Sequence, residues 1–166
     1  MKKLVVFSIS FLLFLFSFGQ KDTAQLLYKR FPTVPPLRLL LTDSTTTFTQ
    51  KDLKKNQAVF IDLFSPDCDH CQKSTEEIID HIAQFKDIQI VMATTLPFDK
   101  MKSFYEKNQL KRFPNIIVGQ DRSLILPTFY DIKNFPFFAF YDKKGNLIDV
   151  FEGSLPISKV LEKIRK

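Results

Sequence analysis

The chain has 166 residues, of which 45% are hydrophobic, and a formal net charge of +6 at pH 7. This length is enough for one ordinary domain that buries its own core, and it leaves no room for a second domain. Basic residues are mixed with acidic ones, as at 51–55 and 159–166, and no arginine cluster occurs. Solvated faces explain this pattern, so we expect no nucleic-acid partner.

The N-terminus combines a positive start with an apolar stretch. Lys2 and Lys3 precede the apolar residues 4–18, and small residues stand at Ser17 and Gly19. This pattern is typical of a secretory signal peptide, which predicts that residues 1–19 are cleaved and that the protein is exported to the periplasm. The stretch is shorter than the roughly 20 apolar residues that span a bilayer, so an uncleaved membrane anchor is the less favoured alternative.

The first predicted elements follow a proline-rich lead-in at residues 20–36. This segment is polar and predicts an extended conformation with one helical turn at 23–28. The runs 37–41 and 45–49 are β-branched or apolar and flank a turn-prone connector, which predicts a β-hairpin. A short helix at 50–54 is expected to follow.

The central part of the chain predicts a strand, a helix and a second strand. Residues 58–64 form a nearly continuous apolar run, as expected for a strand covered on both faces, and Asp62 is its one charged residue. Apolar residues at one-face helical spacing predict a helix that begins at the cysteines and continues through 74–85, with His81 on its surface. Residues 88–93 predict the next buried strand.

Less regular patterns follow the second buried strand. Residues 101–110 carry apolar side chains at helical spacing, which predicts a further helix. Residues 115–118 predict a short strand or extended piece before the polar stretch 119–123. The apolar run 124–132 is ambiguous between a helix and a strand.

A second hairpin and an amphipathic helix close the chain. A Gly-containing turn at 142–146 separates the runs 137–141 and 147–151, and the final helix is predicted at 157–164. The order of elements indicates an α/β fold with parallel central strands and an antiparallel edge hairpin. Such sheets bind and react at the carboxyl ends of their strands, and Cys68 lies just past such an end.

The only two cysteines stand in the sequence Cys68-Asp69-His70-Cys71, where a strand gives way to a helix. A vicinal pair in this context is a candidate redox motif. Helix N-terminal amides and the positive end of the macrodipole favour the thiolate of Cys68, which is the expected attacking nucleophile. Cys71, one turn further along, is placed to attack the mixed disulfide and release the product, so it is the expected resolving cysteine.

Charged neighbours act on the Cys68 thiolate in opposite directions. His70 can add positive charge or a hydrogen bond, whereas Asp67 and Asp69 oppose the thiolate by like-charge repulsion. The sequence alone does not determine which of these effects is larger.

Two non-catalytic roles for the cysteine pair are less well supported. A structural disulfide that closes so small a loop removes little entropy from the unfolded chain. A zinc site made of Cys68, Cys71, His70 and His81 lacks a second cysteine pair, and His70 inside the pair is awkward for chelation. We therefore expect no bound metal.

These residues resemble the thioredoxin-like superfamily, and most closely its exported TlpA-like and ResA-like thiol-disulfide oxidoreductases. Residues 62–71 match the family's strand, loop and CxxC helix start, and 134–141 match its cis-proline loop and following strand. Residues 143–146 and 150–153 match its closing hairpin. The resemblance covers about residues 31–166.

The resemblance implies a three-layer α/β sandwich over residues 37–166, in which helices flank a central mixed β-sheet with an N-terminal β-hairpin extension. The sequence departs from the family at Asp67, where an aromatic residue is usual, and it has no tryptophan. Because Asp67 and Asp69 add negative charge, we expect weaker thiolate stabilisation and a preference for basic partner surfaces.

The resemblance also implies roles for residues outside the cysteine pair. Pro136 would be the cis-proline beside the cysteines, and Phe135 would offer backbone groups to an extended substrate, with Pro66 as a further substrate-binding residue. Asp62 matches the family's buried acid, which takes the proton from the resolving thiol. A carboxyl group inside an apolar strand has a raised pKa, which suits that exchange. A strand-end aspartate bonded to a backbone amide is the alternative for Asp62.

We therefore expect a periplasmic enzyme that reduces disulfides of other exported proteins, with Cys68, Cys71, Asp62 and His70 as catalytic residues. The chain has no nicotinamide or flavin fingerprint, so we expect no cofactor beyond the Cys68–Cys71 disulfide and a membrane protein as electron donor. We expect a monomer. Cytochrome c maturation is one process in which members of this family act.

Three alternatives remain open. With His70 between the cysteines, the motif resembles the CxHC of disulfide oxidases and isomerases, where the histidine can stabilise the reduced form. A peroxiredoxin has a threonine and a proline where this chain has Ser65 and Ile61. In a non-catalytic binding module, the cysteines are idle and the aromatic stretch 129–141 lines a groove, although burial in the core explains that stretch better.

Overall fold

The computed structural model describes residues 25–164 of the chain. The strands are β1 (Arg38–Leu41), β2 (Thr47–Thr49), β3 (Ala58–Leu63), β4 (Ile88–Thr94), β5 (Ile116–Gln120), β6 (Phe137–Tyr141) and β7 (Leu147–Glu152). The α-helices are α1 (Leu27–Arg30), α2 (Asp69–Asp80), α3 (Phe98–Lys107), α4 (Ile125–Tyr130) and α5 (Ile157–Ile164). Short 3-10 helices lie at Gln50–Asp52, Ile82–Phe85 and Leu110–Arg112.

All seven strands form one sheet in the order β2-β1-β5-β4-β3-β6-β7. Strands β3, β4 and β5 are parallel, and the other neighbouring pairs are antiparallel. Because α2 connects two parallel neighbours, it crosses one face of the sheet and runs back along β3. The predicted α/β fold with a central mixed sheet is confirmed, and the N-terminal hairpin of β1 and β2 extends the sheet beyond β5.

Strand β3 is covered on both faces, as its apolar sequence predicts. Every residue of β3 and β4 is buried. Because side chains alternate across a sheet, Phe60 packs with residues of α2, α3 and α5, whereas Ile61 packs with residues of β1 and α4. The helices thus lie in two layers around the sheet, which confirms the predicted three-layer arrangement.

The helix that begins at the cysteines ends earlier than predicted. Helix α2 ends at Asp80, and His81 leaves helical geometry at φ −109° and ψ 16° before the 3-10 turn at Ile82–Phe85. The His81 Nδ1 atom lies 2.9 Å from the Glu77 carbonyl oxygen, which is one of the last carbonyls of the helix. His81 is therefore a partly buried residue at the helix end rather than a residue on the helix surface.

Strand β5 reaches further than predicted, because the N-terminal hairpin pairs with its polar end. Gly119 pairs with Leu41, and Gln120 pairs with Leu40. A Cβ atom at position 119 would lie 2.6 Å from the Cβ of Leu39, so glycine is required for β1 to approach this closely. The polar stretch 119–123 is therefore partly strand.

The ambiguous run at 124–132 forms helix α4. Leu124 and Asp131, which flank the helix, are both left-handed, with φ of 53° and 56°. The buried Asp121 carboxylate accepts hydrogen bonds from the amides of Ser123 at 3.2 Å and Leu126 at 2.8 Å. Asp121 thus satisfies backbone donors at the start of α4, as capping aspartates do.

The lead-in predicted at 20–36 is described from residue 25 onward. It contains the short helix α1, so the helical turn lies further along than predicted. The Val34 amide donates to the Gly145 carbonyl at 3.0 Å, and the Leu147 amide donates to the Pro32 carbonyl at 2.9 Å. These bonds attach the lead-in to the start of β7.

The predicted signal peptide lies outside the described residues. Among residues 25–164, no helix combines the length and the apolar character that crossing a membrane requires.

Candidate active site

Cys68 lies at the junction between β3 and α2. It precedes the first residue of α2 as the N-cap, with an extended backbone at φ −99° and ψ 119°. A turn places it there, because the Cys68 amide donates to the Ser65 carbonyl at 3.1 Å and the Gln72 amide donates to the Cys68 carbonyl at 3.0 Å. Cys68 is partly exposed and its thiol is free. An exposed thiol beside the positive end of a helix is suited to act as a nucleophile.

Cys71 is the buried partner of Cys68. It is 1% exposed, also a free thiol, and its Sγ accepts a hydrogen bond of 3.5 Å from the Ser65 amide. Burial raises the pKa of the Cys71 thiol far above its usual range, and negative charge on Asp62 or Cys68 adds to that effect. Cys71 therefore stays protonated unless a nearby base takes its proton.

Asp62 is a buried acid whose charge acts on the Cys71 thiol. It is 1% exposed and lies in the sheet between Met92 of β4 and Phe138 of β6. Burial raises the pKa of Asp62 to about 8. Because neither carboxylate oxygen has a hydrogen-bond partner among the described residues, the structure does not support the alternative of a strand-end aspartate bonded to an amide.

The loop before β6 faces Cys68 from the other side. The Phe135–Pro136 peptide bond is cis, and the Phe135 carbonyl oxygen lies 4.0 Å from Cys68 Sγ. The antiparallel pairing of β6 with β3 brings this loop to the same end of the sheet as the cysteines. Phe135 is partly exposed and Pro136 is buried.

Residues at the end of β7 fasten this loop. The Glu152 carboxylate accepts a hydrogen bond of 2.5 Å from the Lys133 amide and a second one from the Asn134 amide. The Gly153 amide donates to the Pro136 carbonyl at 2.8 Å. Two sides of the loop are thereby tied to β7.

The remaining predicted residues lie around the cysteines in different settings. Pro66 is buried, and its carbonyl oxygen accepts a hydrogen bond of 3.1 Å from the Gln72 side chain, so Pro66 shapes the loop more than it offers a surface. His70 is exposed and lines a cavity of about 390 Å³ between α2 and the loop after β7. Asp67 forms an ion pair with Lys100 of α3, which offsets part of its negative charge.

Sequence reasoning missed three residues of this region. Lys100 and Glu152 contact it only because α3 and β7 fold back to the same end of the sheet, and no local pattern in the sequence indicates that pairing. Thr75 stands one helical turn after Cys71 and is buried. Its position follows from helical periodicity, so the spacing from Cys71 was a usable signal.

Other parts of the molecule offer less chemistry. A cavity of about 700 Å³ lies at the opposite end of β3, beside Ala58 and Ile88, and is remote from the cysteines. Within residues 25–164, no three histidine, cysteine or acidic side chains come together as a metal site would require.

Comparisons with known proteins agree with this geometry. The thioredoxin-like domain family matches residues 46–166 of the chain. No curated protein matches it. The fold is similar to that of StoA from Bacillus subtilis, with a TM-score of 0.62 and 15% identity over 80% of this chain and 98% of that one.

Two structures from Mycobacterium tuberculosis are also similar. The peroxidoxin BcpB has a TM-score of 0.67 at 17% identity, over 80% of this chain and 94% of that one. A secreted disulfide oxidoreductase homologous to Escherichia coli DsbE has a TM-score of 0.65 at 16% identity, over 78% of this chain and 94% of that one. At these identities the likeness shows a shared fold.

Proposed function

Because the chain belongs to the thioredoxin-like domain family, we propose that it is a thiol-disulfide oxidoreductase of the exported TlpA-like and ResA-like branch. Its reaction is the reduction of disulfides in other exported proteins. One observation carries the proposal. Cys68, with a partly exposed thiol, stands at the N-cap position of α2, and a second thiol, Cys71, and a buried acid, Asp62, lie behind it.

The first step is attack by Cys68. Its thiolate attacks one sulfur of the substrate disulfide, so a Cys68–substrate disulfide forms and the other substrate sulfur leaves as a thiolate. The Phe135 carbonyl, 4.0 Å from Cys68 Sγ, stands where it can accept a hydrogen bond from a backbone amide of an extended substrate. This contact orients the substrate backbone beside the attacking sulfur.

The second step releases the product. Asp62 takes the proton from Cys71, the Cys71 thiolate attacks Cys68 Sγ, and the second substrate sulfur leaves as a thiolate. The products are a dithiol substrate and a Cys68–Cys71 disulfide. Since the pKa of Asp62 is about 8, about one molecule in ten holds the carboxylate at pH 7, and we expect this step to quicken as the pH rises through 8.

Charges around the cysteines support reduction over oxidation. A dithiol whose thiolate is strongly stabilised is a poor reductant, as in the strongly oxidising enzymes. Asp69 in the first turn of α2 opposes the thiolate. Asp67 opposes it as well, to the extent that the ion pair with Lys100 does not neutralise its charge. His70 is the residue that favours the alternative, a disulfide oxidase or isomerase.

The remaining parts of the proposal concern the cellular setting. The basic start and apolar stretch of residues 1–19 support export to the periplasm. There, a membrane protein returns two electrons and two protons to the Cys68–Cys71 disulfide, and the protein acts as a monomer without a further cofactor. The secreted M. tuberculosis oxidoreductase with a similar fold is consistent with this setting.

The midpoint potential of the Cys68/Cys71 couple tests the proposal. We expect the mature protein, equilibrated in dithiol redox buffers, to give one two-electron transition near or below about −270 mV. A value of about −120 to −180 mV would indicate an oxidase or isomerase instead. The Cys68→Ser and Cys71→Ser variants are matched controls that must lose the transition.

An absence of any transition in the wild-type protein would overturn both catalytic functions. In that case, retention of partner proteins by the Cys68→Ser variant, without mixed disulfides, would identify a binding module.

A further inference from the structure

Three buried side-chain atoms in the described part of the chain have no hydrogen-bond partner. They are both carboxylate oxygens of Asp62 and the hydroxyl oxygen of Thr75. Each residue is 1% exposed. Buried polar groups in proteins are nearly always paired, since an unpaired one costs free energy. Two such residues, on the neighbouring elements β3 and α2, call for a common explanation.

Asp62 and Thr75 face the same interface between β3 and α2. Asp62 is two residues after Phe60 on β3, so the two side chains lie on the same face of the sheet. Phe60 packs in the core beneath α2. On α2, Thr75 lies one turn after Cys71 and one turn before Ile78, and both of these pack in that same core. Because residues one turn apart share a helix face, Thr75 lies on the side of α2 that covers β3.

The two residues also lie along the same stretch of the interface. The Ser65 amide, 3.5 Å from Cys71 Sγ, fixes where the first turn of α2 crosses the end of β3. From Cys71 to Thr75 the helix advances about 6 Å. Asp62 stands three residues before Ser65, about 10 Å back along β3. Since α2 runs back along β3 from the Ser65 contact, Thr75 lies over the segment of β3 and its following loop between Asp62 and Ser65.

The Thr75 hydroxyl is free to act outside its own helix. A threonine inside a helix usually donates to the carbonyl four residues earlier, which here is that of Cys71. The hydroxyl makes no such bond to any described residue. It therefore has a donor hydrogen for a group across the interface.

We propose that Thr75 is a positioning residue of the thiol site, whose hydroxyl is hydrogen-bonded to the Asp62 carboxylate through one buried water molecule. This inference rests on the proposed function, in which Asp62 takes the proton of Cys71. A water molecule between two otherwise unpaired buried groups is a common arrangement in proteins. This hydrogen-bonded bridge holds the carboxylate on the side of β3 that faces Cys71.

The groups around Asp62 determine how the Thr75 hydroxyl acts on the pKa of Asp62. Strand β4 presents Met92 and strand β6 presents Phe138 at the paired positions, and α2 presents the Cys71 thiol, whose ionisation the Asp62 charge opposes. Burial raises the pKa of Asp62 to about 8. A hydroxyl that is hydrogen-bonded to the carboxylate through a water molecule opposes this effect, so its removal shifts the proton exchange to higher pH.

The experiment separates the two chemical steps with a symmetrical aromatic disulfide, 5,5′-dithiobis(2-nitrobenzoate), mixed with an equimolar amount of the reduced protein. Cys68 forms a mixed disulfide and releases one coloured thiolate. Cys71 then displaces the second thiolate and closes the Cys68–Cys71 disulfide. Stopped-flow absorbance records the two releases as two phases, in a pH series centred on 8.

We expect the second phase of the wild-type protein to inflect near pH 8. In Thr75→Val, which keeps the shape but removes the hydroxyl, the inflection should rise by about half a unit to one unit. Thr75→Ser should restore the wild-type profile. The first phase, which reports Cys68 alone, should be the same in all three proteins.

A packing role for Thr75 predicts a different result. Thr75→Val would then change the rate of the second phase equally at every pH, or not at all, and either outcome overturns the inference. In an Asp62→Asn background, Thr75→Val should have no further effect on the profile, and a shift that persists there also overturns it. A wild-type protein without a second phase would instead refute the resolving role of Cys71, and with it the proposed function.

Discussion

The two faces of the sheet treat their buried polar groups differently. On the α4 face, the hydroxyls of Tyr130 and Tyr141 are hydrogen-bonded to each other, and burial raises the pKa of both phenols. Asp121 is likewise bonded, to two amides at the start of α4. On the α2 face, Asp62 and Thr75 have no partner among the described residues. Paired polar groups stabilise a fold, whereas unpaired ones persist at a cost, and here they lie beside the thiols.

The largest expected effect that tests this comparison is the pH dependence of stability caused by Asp62. Its pKa is raised by burial from 3.8 to about 8, so the folded state holds a proton that the unfolded state releases between these values. Stability is therefore full below about pH 4 and falls as the pH rises towards 8. The loss reaches on the order of 4 kcal/mol by pH 7.

Asp62→Asn removes this titration. We expect urea unfolding of the variant to show higher stability than the wild type at pH 7 and little difference near pH 4. Asp121→Asn, on the other face, serves as the control and should lower stability through weaker bonds to the α4 amides. A wild-type stability that is flat between pH 4 and 8 would contradict the assignment of Asp62 as a buried neutral acid.

The second effect concerns the tyrosine pair. Tyr141→Phe leaves the Tyr130 hydroxyl buried without its partner, so we expect a loss of about 1–3 kcal/mol in the free energy of unfolding. The double variant Tyr130→Phe/Tyr141→Phe should recover much of this loss, because no hydroxyl is then left unpaired. Chemical denaturation measures both.

The tyrosine variants also test whether the two faces of the sheet act independently in the thiol reaction. Neither tyrosine variant should change the two release phases seen with the aromatic disulfide, since the pair lies on the face away from Cys71. A changed second phase in Tyr141→Phe would show that the two faces are not separable in this way.

The smallest effect concerns Glu152, a bonded acid that lies near the thiols. Removing its carboxylate in Glu152→Ala frees the amides of Lys133 and Asn134 and loosens the loop that carries Phe135. We expect KM for a disulfide-bonded peptide to rise by about threefold to tenfold, with kcat nearly unchanged.

Glu152→Gln keeps an acceptor oxygen and is the matched control for this loop. It should retain most of the affinity for the peptide, and neither variant should alter the first phase with the small aromatic disulfide. An equal fall in kcat for both disulfides would show that Glu152 acts on the cysteines themselves rather than on substrate binding.

Features of the site that depend on local sequence were predictable. The apolar run around Asp62 predicts a central strand, and the cysteine pair at its end predicts a helix start, because both patterns record burial and turn geometry within a few residues. The position of the cis peptide at Pro136 followed from resemblance to the family, and the structure has that bond.

Features that depend on distant pairing were not predictable. Gly119 and Gln120 look like a polar loop in isolation, and they become strand only because β1 pairs with them. The contact of Glu152 with residues 133–134 similarly requires the pairing of β6 with β7. No local pattern encodes either contact.

The attachment of the lead-in to β7 has a consequence for how the protein meets unfolded chains. At the outer edge of the sheet, the Pro32 carbonyl accepts the Leu147 amide, and the Val34 amide donates to the Gly145 carbonyl. Further along this edge, the Asp149 side chain accepts the amide of Val150. An open edge collects extended polypeptides without selection, and a bonded edge does not. An extended chain that approaches this edge therefore meets amides at Leu147 and Val150 that already have acceptors, so this edge is protected against pairing with a further strand.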